Sequence, residues 1–134
     1  MSDNELLILA EQAREASYSP YSGISVGTAL LCADGEVFTG ANIENASHSP
    51  TVCAERVALF SAVHKGKRDF KAIAIAGGRS GEVPTKLFSP CGVCRQALLE
   101  FCREDMRIIM TDGKTVTVRT LGEMMPFGFT GDSL

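Results

Sequence analysis

Five cysteines stand at positions 32, 53, 91, 94 and 102, and only Cys91 and Cys94 fall in a C-x-x-C spacing. Their number is odd, and Asp3 and Glu5 stand where an export signal needs positive charge, so a disulfide framework is not expected. The pattern points instead to metal or catalytic chemistry. Cys91 and Cys94 lie three residues apart at the start of a predicted helix opened by Pro90, so both sulfurs can face one point. Cys53 opens another predicted helix, and two helix N-termini converging on one ion stabilise thiolates. Zinc takes four such ligands in a structural site, and three plus a water in a catalytic one. Glu55 sits two residues after Cys53, close to such an ion without being an obvious ligand.

Each of these residues has a plainer reading. Redox motifs and half zinc fingers share a lone C-x-x-C, and the dipole at a helix N-terminus accounts for Glu55 by itself. A structural zinc site needs a fourth ligand, for which the chain offers His48, His64, Cys32 or Cys102. Cys32 and Cys102 fall inside a predicted strand and helix, where free cysteine behaves as a small hydrophobe. His64 falls at a helix end, where the dipole explains it. That leaves His48, five residues before Cys53. Three thiolates make a zinc centre net negative and a weaker Lewis acid, so a cation is expected nearby. Arg56, in the first turn of an otherwise apolar helix, is expected to donate hydrogen bonds to the thiolates, whereas Arg95 reads as an ordinary exposed arginine. The Cys53-x-Glu55 half and the Pro90-Cys91-x-x-Cys94 half, each at a predicted helix start, together favour a catalytic site.

The elements that must position these groups follow from periodicity and turn signals. Residues 4 to 17 read as a helix with Leu6, Leu7, Ala10 and Ala13 at helical spacing. Ile24 to Cys32 and Val37 to Ala41 read as strands joined at Asp34-Gly35. A polar stretch, Asn42 to Thr51, leads into the helix from about Cys53 to His64, with Gly66 at its C-cap. Lys71 to Ala76 is a buried-looking strand, and Gly77-Gly78-Arg79-Ser80-Gly81 reads as a surface turn. The helix opened by Pro90 runs to about Arg103. Strands follow at Arg107 to Thr111 and Thr115 to Val118, then a short helix near Leu121 to Met125. The order α-β-β-α-β-α-β-β predicts a mixed sheet with helices on both faces.

Composition bounds the rest. The 134 residues suit one domain, 1–134, and 45% hydrophobic with 22% charged residues is enough apolar mass for a core. Thirteen Lys+Arg against sixteen Asp+Glu give a net charge of −3, so no basic field for nucleic acid is present. The apolar runs are too short to span a membrane, and a cytoplasmic location is expected. Neither a G-x-G-x-x-G nor a phosphate-binding Gly-Lys-Ser/Thr loop occurs.

The two cysteine halves form the three-cysteine version of the zinc nucleobase-deaminase signature. With the rest of the chain they resemble the small zinc-dependent cytidine deaminases of the homotetrameric class. The resemblance includes Tyr18-Ser19-Pro20-Tyr21-Ser22 followed by Val26-Gly27, Asn42-Ile43-Glu44-Asn45-Ala46, Cys53-Ala54-Glu55-Arg56, Ser89-Pro90-Cys91-Gly92-Val93-Cys94-Arg95-Gln96, and a proline-aromatic tail. It implies a three-layer αβα fold around a five-stranded mixed sheet, with Zn2+ on Cys53, Cys91 and Cys94. Glu55 would be the proton carrier, and Asn42 and Glu44 would bind the ribose hydroxyls. Ile24 and Ala54 would line the base pocket, and Phe129 would stack on the pyrimidine of a neighbouring subunit. The plainer readings are polar turn residues for Asn42 and Glu44, and interface packing for Phe129. Ile24, Ala41 and His48 stand where the family usually has phenylalanine, cysteine and tyrosine.

The activity so implied is hydrolytic deamination of cytidine and 2′-deoxycytidine in pyrimidine salvage, in a homotetramer with shared active sites. One alternative is a related deaminase acting on RNA, a free base or an antibiotic nucleoside. The other is a zinc-stabilised module without activity, in which protein fills all four zinc positions.

Overall fold

Strand β3 (Phe70–Arg79) alternates Ala72, Ala74 and Ala76 with Ile73 and Ile75, and this alternation sorts the two faces of the sheet. The alanines form a shallow face on which helix α1 (Asp3–Ala13) packs through Leu6, Leu7 and Ala10. The isoleucines face helices α2 (Ala54–His64) and α3 (Gly92–Phe101) through Ala58, Leu59 and Leu98. In this computed structural model, which describes residues 1–134, β3 pairs antiparallel with β1 (Ile24–Cys32) and parallel with β4 (Arg107–Thr111). The edge strands β2 (Val37–Ala41) and β5 (Val116–Thr120) join antiparallel, which gives the order β2-β1-β3-β4-β5. The short helix α4 (Leu121–Met124) adds Leu121 to the core under α2 and α3. The architecture is the expected three-layer αβα arrangement around a five-stranded mixed sheet. No helix is long and apolar enough to cross a membrane.

Two devices fix where α2 begins and ends. Gly66, at φ +92°, closes it: its N–H donates to Val63 O and the Lys67 N–H to Ala62 O, the paired bonds of a Schellman cap. Gly40 in β2 sets its start. A Cβ at Gly40 would lie 2.5 Å from Ala54 O and 2.6 Å from Ala58 N, so the first turn of α2 rests directly on the strand backbone.

The structure corrects several boundaries. β3 continues through Gly77, Gly78 and Arg79, which pair with Val26, Ser25 and Ile24 of β1, so only Ser80-Gly81 turns. Glycines here are not breakers, because neighbours fill the space their side chains would take: the Phe88 ring lies against Gly77 and the Arg14 guanidinium against Gly78. Arg14 is itself 7% exposed, which the periodicity missed, and ends α1 in a 3-10 turn. It donates to Ser25 O at 2.9 Å and to Arg79 O at 3.0 Å, tying α1 to the ends of β1 and β3. Pro90 lies outside α3, whose N-cap is Cys91, and α3 stops at Phe101, so Cys102 is a C-cap and not a helix-interior residue.

Candidate active site

The three cysteines come together because two of them cap helices. Cys53 is the N-cap of α2 and Cys91 the N-cap of α3, both in extended backbone, while Cys94 lies in the first turn of α3. The Cys91 Sγ accepts the Cys94 N–H at 3.4 Å, in the place of a serine or threonine cap. All three Sγ atoms lie within 4.8 Å of one another, and no fourth imidazole, thiol or carboxylate joins the group. The Cys53 and Cys91 sulfurs are 3.8 Å apart. Two thiolates bound tetrahedrally to one zinc at about 2.3 Å would stand at about that separation. The donor set therefore fits zinc with one coordination position open.

The surroundings suit charge on sulfur. The Cys53 thiol is pulled below the usual thiol range, first by the hydrogen bond from Cys94 and then by the Arg56 guanidinium, against the opposing effect of burial. Cys94 is pushed up by the same bond, by burial, and by the Glu55 and Cys53 charges. Arg56 Nη2 donates to Cys53 Sγ at 3.7 Å. Its Nε–H is buried without a hydrogen-bond partner, and the Cys53 and Cys94 sulfurs favour its charged form. Sulfur ligands on a cation are what such a buried guanidinium can serve.

Glu55, two residues past the α2 N-cap Cys53, is 4% exposed. Burial pushes its carboxyl up to about 7, and the neighbouring Cys53 charge adds to the shift. A carboxyl poised there can both take and release a proton near neutral pH. The Thr28 hydroxyl, fully buried in β1, donates to Glu55 Oε1 at 3.4 Å. Sequence reasoning passed over Thr28. Its signal was a hydroxyl between Val26 and Leu30 on the inward face of a strand that otherwise presents apolar side chains there.

A cleft of about 290 Å³ opens beside these groups. Ile24, Asn42, Glu44 and Ala54 all line it, with Cys53, Glu55 and Cys91. Asn42 and Glu44 flank Ile43, which is held extended by bridges to Tyr18 and Val52, so both side chains fall on one side. Most of their hydrogen-bonding capacity is already committed. Asn42 Oδ1 accepts from Val26 N and the Ser17 hydroxyl, and its Nδ2 donates to Ile24 O. Glu44 Oε1 accepts from Tyr21 N and Ser22 N, and Oε2 accepts from the Ser22 hydroxyl. The Ser22 bonds hold the Glu44 carboxyl below the usual carboxylate range. One N–H on Asn42 and one lone pair on Glu44 Oε2 remain.

The other sequence candidates lie elsewhere. Phe129 is exposed, away from this cleft, with its carbonyl accepting from Gln96 Nε2. His48 is exposed at φ +64°, edge-on to Tyr21 with ring centroids 6.3 Å apart, and takes no part in the sulfur cluster. Cys32 and Cys102 are buried among apolar side chains, and burial raises both thiols, Cys102 to about 12. Arg95 is not an ordinary exposed arginine. It donates to Pro90 O at 2.8 Å and Met124 O at 2.9 Å, bracing the segment that delivers Cys91.

Residues 1–110 match the family described as the cytidine and deoxycytidylate deaminase zinc-binding region. The chain is 44% identical over 134 residues to a cytidine deaminase of Halalkalibacterium halodurans, covering 98% of each. It is 42% identical over 135 residues to a cytidine deaminase of Sporosarcina psychrophila, covering 100% of this chain and 96% of that one. Among solved structures, a cytidine deaminase from Burkholderia pseudomallei superposes with a TM-score of 0.87 at 42% identity, over 96% of this chain and 100% of that one.

Proposed function

The chain belongs to the cytidine and deoxycytidylate deaminase zinc-binding family, and from that premise we propose that it hydrolyses cytidine and 2′-deoxycytidine to uridine and 2′-deoxyuridine, releasing ammonia. The observation that carries this reading is the open three-thiol site with a buried carboxylic acid at its side. Cys53, Cys91 and Cys94 would hold Zn2+, which supplies activation of a water at neutral pH. Glu55 would take one proton from the water that attacks C4 and deliver it to the ring N3, then take the second from the new C4 hydroxyl and pass it to the amine, so that the C4–N bond breaks, the C4 carbonyl forms and ammonia leaves. Its elevated affinity for protons suits both directions of transfer. Arg56 offsets the charge of three thiolates, which keeps the centre an effective Lewis acid.

The free capacity of Asn42 and Glu44 supports a sugar site. One remaining donor beside one remaining acceptor matches a hydroxyl, which accepts and donates at once. Ile24 and Ala54 would form apolar wall beside the base. Phe129 would complete the pocket of a neighbouring subunit in a homotetramer, and we place the enzyme in cytoplasmic pyrimidine salvage, with no nucleic-acid or membrane partner. A non-catalytic zinc module needs a fourth protein ligand, and no imidazole, further thiol or carboxylate clusters with the three sulfurs.

Glu55→Gln separates the roles. It keeps the shape of the site while removing the proton carrier, so the variant is expected to bind zinc normally and lose about 10²- to 10⁴-fold in kcat. Full zinc occupancy with full activity would overturn the assignment of Glu55.

A further inference from the structure

We infer that Phe88 is the base-facing wall of the cleft, its ring laid flat on Gly77 and stacked on the pyrimidine of the substrate. The inference rests on the reading of the cleft as a cytidine site. Phe88 is the one aromatic residue that lines the cleft; Ile24, Val26 and Ile75 around it are aliphatic. A flat conjugated base gains from an aromatic face beyond what equal apolar area provides.

The orientation of the ring follows from the strand beneath it. A Cβ at Gly77 would stand 2.7 Å from Cγ, 2.9 Å from Cδ1 and 3.0 Å from Cδ2 of Phe88. Near-equal distances to Cγ and to both flanking carbons put Gly77 over the face of the ring, since an approach in the ring plane would leave the two Cδ atoms markedly farther away. Gly77 is paired with Val26 in the sheet, so the ring rests on a rigid support. Phe88 also stands three residues before Cys91, so one short segment delivers both the aromatic face and a sulfur of the cluster. Gly77 is thus a positioning residue that acts through Phe88.

The test is steady-state kinetics of the zinc-loaded protein on cytidine, with zinc content and thermal melting measured on every variant. Phe88→Leu keeps apolar volume and removes the ring, and is expected to raise KM about three- to tenfold while kcat stays within about twofold. Phe88→Tyr keeps the ring and should leave KM within about twofold of the parent. Gly77→Ala keeps the ring but displaces it, and should raise KM in the same direction as Phe88→Leu. A folded, zinc-replete Phe88→Leu with unchanged KM overturns the inference, as does a fall in kcat at unchanged KM. If Phe88→Leu does not fold, Gly77→Ala decides by the same criterion. A zinc-loaded parent that turns over no cytidine overturns the functional reading itself, and this inference with it.

Discussion

Cys91 serves two purposes with one sulfur. It caps α3 through the Cys94 N–H and it belongs to the three-sulfur cluster. Serine is a good N-cap but a poor zinc ligand, so Cys91→Ser divides the two purposes. The variant is expected to retain its helix content by circular dichroism while its zinc content, measured by elemental analysis, collapses. Loss of helix with zinc retained would contradict the assignment of the sulfur as a ligand. Glu44 is bound by the same kind of double duty. Its carboxylate holds the Tyr21–Ser22 loop through three hydrogen bonds and still has a lone pair for a ligand. Glu44→Gln weakens charge-assisted bonds worth roughly 1.5–3 kcal/mol each. It should therefore raise KM for cytidine by about ten- to a hundredfold, with a much smaller change in kcat. An unchanged KM would remove Glu44 from the substrate site.

At the scale of elements, the site depends on how closely α2 lies on β2. Gly40→Ala would drive a methyl group into the α2 backbone at Ala54 and Ala58. Overpacking of this kind costs about 1–3 kcal/mol. Because α2 delivers Cys53 and Glu55, the variant should lose activity as well as melt earlier, and a normal kcat in a destabilised protein would show that the helix can shift without disturbing the site. This contact was invisible in the sequence, where Gly40 is one more small residue in a strand. The pieces that were legible are those with local rules: the start of α2 at Cys53, the Asp34-Gly35 turn, the Gly66 cap, and a buried strand over Lys71 to Ala76, while α3 begins after Pro90 at its Cys91 cap. What escaped was set by distant partners. Gly77 and Gly78 read as a turn because their neighbours, Phe88 and Arg14, come from other parts of the chain. The burial of Arg14 left no local signal because its acceptors, Ser25 O and Arg79 O, come from two strands. Asn42 and Glu44 were found as candidates through the resemblance, but not the bonds to Ser17, Val26, Tyr21 and Ser22 that already occupy most of their capacity.

For the whole molecule, a single mixed sheet with α1 on one face and α2, α3 and α4 on the other brings residues 42 to 55 and 88 to 94 to one cleft. Phe127 and Phe129 remain exposed at the C-terminal end. If Phe129 completes a neighbour's pocket, light scattering should report the mass of four chains, and Phe129→Ala should raise KM without lowering zinc content. A fully active monomer would contradict shared active sites. The most direct test of the central claim is an ultraviolet assay of the purified, zinc-loaded protein with cytidine, 2′-deoxycytidine and cytosine in parallel. Both nucleosides are expected to be deaminated, and little of the free base, which lacks the hydroxyl that Asn42 and Glu44 would hold. With zinc bound, absence of turnover on all three would contradict that claim and direct attention to another cytosine-type nucleoside.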